Sequence, residues 1–205
     1  MPKILLVRHG ITDANINNKF AGQTEIGLAE EGVRQAEKLG KRLARTKIDA
    51  IYSSDLRRAM LTAEAISGKH EAEISRCGEL REMDYGEAEG LTYEEIKENL
   101  PEVAEALAEF DLNLINFPGG ESMQALIARG VKFLERLNGH GQDETVLIVT
   151  HGGMLRTLIC ELLEIGMENW RKFRFDNASL TIVDIYPRRT ILSLLNDTSH
   201  LQDGE

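Results

Sequence analysis

Short apolar runs and helical patterns of apolar residues alternate along most of this chain. Lys3 to Val7, with Ile4-Leu5-Leu6-Val7 at its centre, reads as a buried strand. Leu28 to Arg45 places Ala36, Leu39 and Leu43 on one face and predicts an amphipathic helix. Ile48 to Tyr52 is a short strand, and Asp55 to Ser67 a helix with Ser53 or Ser54 as its N-cap. Ile74 to Cys77 is a weaker strand. Leu91 to Asp111 is helical and acidic, interrupted at Pro101, and the Pro and Gly of Asn116 to Gly120 mark a loop. A long helix is expected over Glu121 to Leu137, the most hydrophobic strand over Thr145 to Thr150, and a helix over Gly153 to Leu163. Leu180 to Ile185 and Thr190 to Leu195 flank Tyr186-Pro187-Arg188-Arg189 as a hairpin. The polar tail, Asn196 to Glu205, is expected to be loose.

Alternating elements of this kind predict an α/β fold. The expected form is a three-layer sandwich, with a mainly parallel central sheet and an antiparallel edge. One domain over residues 1–205 is expected. The segment at about 86–120 leaves the alternation and is the candidate lid insertion.

Composition narrows the classes. The apolar runs are strand-sized, far short of a membrane span, and Met1-Pro2-Lys3 leads straight into a strand rather than a signal peptide. A cytoplasmic location without membrane contact is therefore expected. The formal charge of −10 argues against nucleic acid as a partner, and it makes any cluster of arginines more informative. Cys77 and Cys160 have no CxxC partner and read as isolated buried thiols.

Four clusters carry candidate chemistry. Arg8-His9-Gly10 ends the first strand, at the carboxyl edge where open α/β sheets bind ligands. Thr12 and Asn15 follow it as neutral donors. Ser53-Ser54-Asp55-Leu56-Arg57-Arg58 follows the second strand. Arg58 falls on the first helical turn, and only one of the adjacent arginines can face a pocket there. Leu80-Arg81-Glu82-Met83-Asp84 mixes carboxylates with apolar neighbours. A carboxyl in a partly desolvated cleft can protonate a leaving oxygen. His151-Gly152-Gly153 ends the most hydrophobic strand and opens a helix, whose N-terminus favours negative charge. If the strands are neighbours, His9 and His151 meet at one pocket. Two histidines with arginines suggest a phosphate site with a histidine nucleophile. His70, His140 and His200 read as surface residues, and no HExxH or paired CxxC supports a zinc site.

Taken in order, these blocks resemble the histidine phosphatase superfamily, also called phosphoglycerate mutase-like. The resemblance spans nearly the whole chain. It includes Leu28, Gly32, Gln35 and Ala36, Ala59, Thr62 and Ala63, Gly86 and Gly90, and Gly119-Gly120-Glu121-Ser122. It implies a metal-independent phosphomonoesterase with no cofactor, acting on a small phosphorylated metabolite. The implied nucleophile is His9, with Glu82 as proton donor. Arg8, Arg58 and His151 would surround the phosphoryl group, with Thr12, Asn15 and the Gly152 N–H as further donors. Gln23 would contact the substrate beyond its phosphate.

The family also contains mutases. Met83 stands where they carry an arginine, and Ala21 where they carry Ser or Thr. From Thr92 to Pro118 the only base is Lys97, among Glu94, Glu95, Glu98, Glu102, Glu105, Glu109 and Asp111. These departures favour a phosphatase, resembling the branch of α-ribazole phosphatases and metal-independent phosphoserine phosphatases. Ile11 and Ala14 occupy positions that are often Glu and Trp in relatives. The alternatives are a cofactor-dependent phosphoglycerate mutase and a noncatalytic binder of phosphorylated ligands. A Rossmann dinucleotide binder is disfavoured, because no GxGxxG follows the first strand. The terminal hairpin is the expected contact of a possible homodimer.

Overall fold

The computed structural model describes residues 2–109, 112 and 114–202. Its strands are β1 (Lys3–Arg8), β2 (Ala50–Ser54), β3 (Ile74–Cys77), β4 (Thr145–Thr150), β5 (Leu180–Tyr186) and β6 (Arg189–Asp197). Its α-helices are α1 (Asp13–Ile16), α2 (Glu30–Leu43), α3 (Arg57–Ser67), α4 (Tyr93–Asn99), α5 (Pro101–Glu109), α6 (Met123–Leu134) and α7 (Gly152–Leu163). The strands form one sheet in the order β3-β2-β4-β1-β5-β6. The first four are parallel, while β5 and β6 add an antiparallel edge. The expected sandwich is therefore the observed one.

Successive residues of the central strands enter different layers. Ile4, Leu6, Val146 and Ile148 join the core that contains Leu126 and Phe133 of α6 and Met154 and Leu158 of α7. Leu5, Val7, Leu147 and Val149 join Leu39 and Leu43 of α2 and Ala59, Ala63 and Ile66 of α3. With both faces covered, the strands read as unbroken apolar runs. Burying each such side chain contributes about 1.5–3 kcal/mol. No helix among the described residues is long and apolar enough to cross a membrane.

Several details differ from expectation. Leu56, not Ser53 or Ser54, is the N-cap of α3, and its side chain makes no cap bond. Ser53 Oγ instead donates to the Ser54 carbonyl, and the Ser54 hydroxyl is used by His151. The long helix stops at Leu134 and tightens into a 3₁₀ turn over Glu135–Gly139, as helix ends often do. The tail is docked through Gln202. Asp197 pairs with Arg42 at 2.7 Å, Lys38 Nζ donates to Leu201 O at 3.1 Å, and Leu201 packs on the α2–α3 core. Residues 203–205 of the tail, and Asp111 of the acidic stretch, lie outside the described residues.

The three remaining histidines are half-buried rather than on the surface. His140 bridges Glu144, at 2.6 Å, and the Tyr52 hydroxyl, at 3.0 Å. A ring nitrogen of His200 donates to Ala178 O at 3.0 Å. Their polar sequence neighbours gave no sign of these long-range partners. Cys77 and Cys160 are free and buried, as expected.

The described residues of the 86–120 segment pack as part of the molecule. Thr92 and Glu95 form a capping box that starts α4. Ile96, Val103, Ala104, Ala106, Ile115 and Phe117 enter the core on the α6–α7 side.

Candidate active site

The two histidine-bearing strand ends are neighbours, because β1 and β4 pair in parallel with Arg8 opposite Thr150. The ring centroids of His9 and His151 lie 5.0 Å apart. β2 runs on the other side of β4, so α3 delivers Arg58 to the same edge. Arg58 is 1% exposed, while Arg57 faces solvent. Only one of the adjacent arginines does enter the site.

His9 Nδ1–H donates to Gly10 O at 2.7 Å, which puts the lone pair on Nε2. Burial, followed by the charges of Arg58 and Arg8, holds its pKa well below 6.5, so the ring is neutral and nucleophilic at neutral pH. Gly10 permits the close turn behind it. A Cβ there would stand 2.4 Å from Gly32 O. The backbone carbonyl of His9 accepts from Asn177 Nδ2 and from Ala178 N, both at 3.1 Å.

His151 is the N-cap of α7, yet its ring makes no cap bond. Its Nε2 pairs with Ser54 Oγ at 2.8 Å. With that hydroxyl donating, the ring proton sits on Nδ1, which is buried and without a partner among the described residues. Burial and the nearby arginines hold this pKa, too, well below its usual value.

The arginines are held by carbonyls rather than carboxylates. Arg8 Nη1 donates to Phe175 O at 2.7 Å. Arg58 reaches Thr24 O at 3.1 Å, and Ala21 O and Gly22 O with its other terminal nitrogen. Burial pulls both guanidinium pKa values down. In each, Nε is buried with no partner among the described residues. The cluster therefore presents three orphaned donors: Arg8 Nε, Arg58 Nε and His151 Nδ1. Buried donors are nearly always satisfied in folded proteins, and an oxyanion with several acceptors would satisfy these.

Glu82 is 7% exposed and accepts from Met83 N at 3.0 Å and Gly153 N at 2.9 Å. A Cβ on Gly153 would fall 2.4 Å from Glu82 Oε1, so a larger residue there would displace the carboxylate. The strand of chain carrying Glu82 is clamped from α6. Arg129 bonds both oxygens of Glu121, at 2.7 and 2.8 Å, and the carbonyls of Glu79, Arg81 and Glu82.

The remaining expected site residues lie on the loop and short helix after β1, at the start of α7 and on the loop before α2. Thr12 is fully buried and caps α1; its hydroxyl donates to Asn15 Oδ1 at 3.0 Å. Asn15 Oδ1 also accepts from Asn177, and its NH₂ makes no hydrogen bond among the described residues. Gly152 opens α7, where a backbone N–H has no intrahelical acceptor. Both ends of the Gln23 amide are engaged, by Glu82 O at 3.4 Å and Arg81 at 3.3 Å. The loop under Gln23 turns its N–H groups to Glu89 and its carbonyls to Arg58. Among the described residues, no group of three or more His, Cys, Asp or Glu could hold a metal ion.

Ser54, Glu89, Arg129 and Asn177 were missed in the sequence. Ser54 stands just before a helix, a position that predicts a cap and hides its bond to His151. Arg129 interrupts the apolar stripe of α6, which is a signal in itself.

The fold and this cluster define the class. Residues 4–198 match the model of the histidine phosphatase superfamily, branch 1, and the chain belongs to that family of phosphoric monoester hydrolases. Among its relatives is phosphoserine phosphatase 1 of Hydrogenobacter thermophilus, 33% identical over 98% of this chain and 95% of that one. Another is the adenosylcobalamin/alpha-ribazole phosphatase of Escherichia coli, 29% identical over 95% of each chain. The crystal structure of the alpha-ribazole phosphatase from Shigella flexneri superposes with a TM-score of 0.88, at 29% identity, over 95% of this chain and 96% of that one.

Proposed function

We propose that the protein is a metal-independent phosphomonoesterase that works through a phosphohistidine on His9. The observation that carries this is the trio of orphaned buried donors beside a neutral imidazole. His9 Nε2 attacks phosphorus and the ester P–O bond breaks. Glu82 gives its proton to the leaving oxygen. Arg8, Arg58 and His151, with Asn15 and the Gly152 N–H, neutralise the phosphoryl oxygens, a task that needs charge and positioning more than covalent help. Glu82 then takes a proton from the water that cleaves the P–N bond, releasing phosphate and restoring His9. Thr12 holds Asn15, and Gln23 braces the backbone of Glu82.

The leading substrates are small phosphorylated metabolites, α-ribazole 5′-phosphate and phosphoserine, on the strength of relatives that bear those names. The 86–120 segment acts as the lid over the site. The cytoplasm is the expected compartment, in keeping with two free buried thiols. A homodimer through the open edge of β6 would show as a two-chain mass in sedimentation at micromolar concentration, and a one-chain mass would end that idea.

The test is phosphate release from a panel of monoesters in excess chelator, with His9→Ala alongside. Turnover that survives chelation and disappears in the variant is expected. Activity restored only by a divalent metal would sink metal independence. Phosphate passing between phosphoglycerates without release would favour the mutase.

A further inference from the structure

A cavity of about 350 Å³ adjoins the phosphoryl cluster. Gly153 and Met83 line it, and their N–H groups are the ones that hold the Glu82 carboxylate. A leaving oxygen protonated by Glu82 therefore has its organic part in this cavity. The walls are mostly apolar and aromatic. Tyr85 stands edge-on to Phe20 and Phe117, with centroids at 5.0 and 4.9 Å, and Trp170 forms part of the opposing lining.

Among the described residues, only two lining side chains are charged, Arg156 and Arg171, and none is a carboxylate. Arg156 projects from α7, three residues after Gly153. Its guanidinium lies 4.7 Å from the Trp170 ring centroid, and its Nε donates to Phe173 O at 2.9 Å. Stacking and that bond fix the plane of the fork. Its two terminal nitrogens have no hydrogen-bond partner among the described residues. The Arg156 charge is also near enough to lower the Arg8 pKa. A pre-oriented cation in an apolar cavity, with no carboxylate among the described lining residues, is a receptor for an anion.

We propose that Arg156 is the anion-binding end of a leaving-group subsite, and that the preferred ester has a ring-bearing apolar leaving group carrying a carboxylate. This rests on the phosphatase reading above and narrows its substrate class. Neither leading substrate meets both halves of the subsite. Phosphoserine brings a carboxylate but leaves the aromatic walls bare, and its ammonium finds no carboxylate among the described lining residues. The nucleoside of α-ribazole phosphate brings a flat ring system and no carboxylate.

The experiment compares 6-carboxy-2-naphthyl phosphate with 6-carbamoyl-2-naphthyl phosphate, its neutral counterpart of the same shape, and with phosphoserine. In wild-type enzyme the carboxylate ester is expected to exceed the amide about tenfold in kcat/KM, and to exceed phosphoserine. The ratio of carboxylate to amide should fall towards one in Arg156→Gln and be partly kept in Arg156→Lys. A ratio near one in wild type, or one unchanged by Arg156→Gln, overturns the proposal. Calorimetric binding of the alcohol products, 6-hydroxy-2-naphthoate against its amide, reads the same preference without turnover, and without any variant that must fold. Failure of every ester would instead count against the phosphatase reading, which the calorimetry does not need. Equal turnover of both naphthyl esters, lost in His9→Ala, would leave the phosphatase and remove only the anion subsite.

Discussion

Two arginine sites near Glu82 use the same side chain in opposite ways. Arg129 spends its donors on the two oxygens of Glu121 and on three backbone carbonyls around Glu82. Arg58 is more deeply buried and, among the described residues, has no carboxylate partner and keeps Nε unpartnered. A guanidinium closed by a carboxylate within the fold is mechanical. One seated on carbonyls, whose dipoles hold it without neutralising it, still has charge to give a ligand. On the proposed function, Arg129 serves stability and Arg58 serves chemistry, and the contrast can be tested along that line.

The largest effect is expected away from both arginines, at the group they surround. His9→Ala should lower kcat for any ester about 10⁴-fold or more, the scale of deleting a nucleophile. A variant retaining a tenth of the activity would remove His9 from that role. Next, Arg58→Met should cost about 10²–10³-fold in kcat/KM, the usual scale for losing one group that stabilises transition-state charge. The same variant should lose the rise in Tm that inorganic phosphate gives the wild type, which is about 2.7 kcal/mol of stabilisation at one hundred times Kd. An undiminished thermal shift would mean that Arg58 is not an anion ligand.

Arg129→Met should reverse the balance. Breaking its half-buried pair with Glu121 is expected to cost about 2–3 kcal/mol of unfolding free energy, while activity falls about tenfold through a displaced Glu82. Equal stabilities of Arg58→Met and Arg129→Met in denaturant would erase the distinction. The smallest effect is in acid. His9 and His151 have folded pKa values below the ordinary 6.5, so the unfolded chain binds more protons once pH drops beneath that value. Their contribution is fully present above about pH 6.5 and is lost as pH falls through the folded values, at up to about 1.4 kcal/mol per pH unit for each ring. Proton-detected NMR of the imidazoles should show both still neutral at pH 6. Ordinary titration near 6.5 would contradict the electrostatics of the site.

Much of this arrangement was legible in advance, for physical reasons that differ by residue. The β1 and β4 runs are buried on both faces, so hydrophobicity alone located them, and their ends located His9 and His151. Arg58 could be placed because a helix start has a known direction from the preceding strand. Residues whose role depends on partners distant in sequence were not visible. Ser54 serves His151 across the sheet instead of capping α3, Glu89 organises the loop beneath Gln23, and His140 answers to Tyr52. The tail was misjudged because Leu201 and Asp197 look polar-loop-like until α2 supplies Lys38 and Arg42.

Because β4 lies between β1 and β2, the strands that precede His9 and Arg58 never pair with each other. A ribosome releases both long before β4 exists, and they have no common frame until that strand slots between them. His9 and Arg58 are thus made early and brought to one edge late. Entry of β4 frames the site, so a growing or truncated chain ending before Thr150 carries His9, Arg58 and Glu82 but neither His151 nor the strand that brings them to one edge.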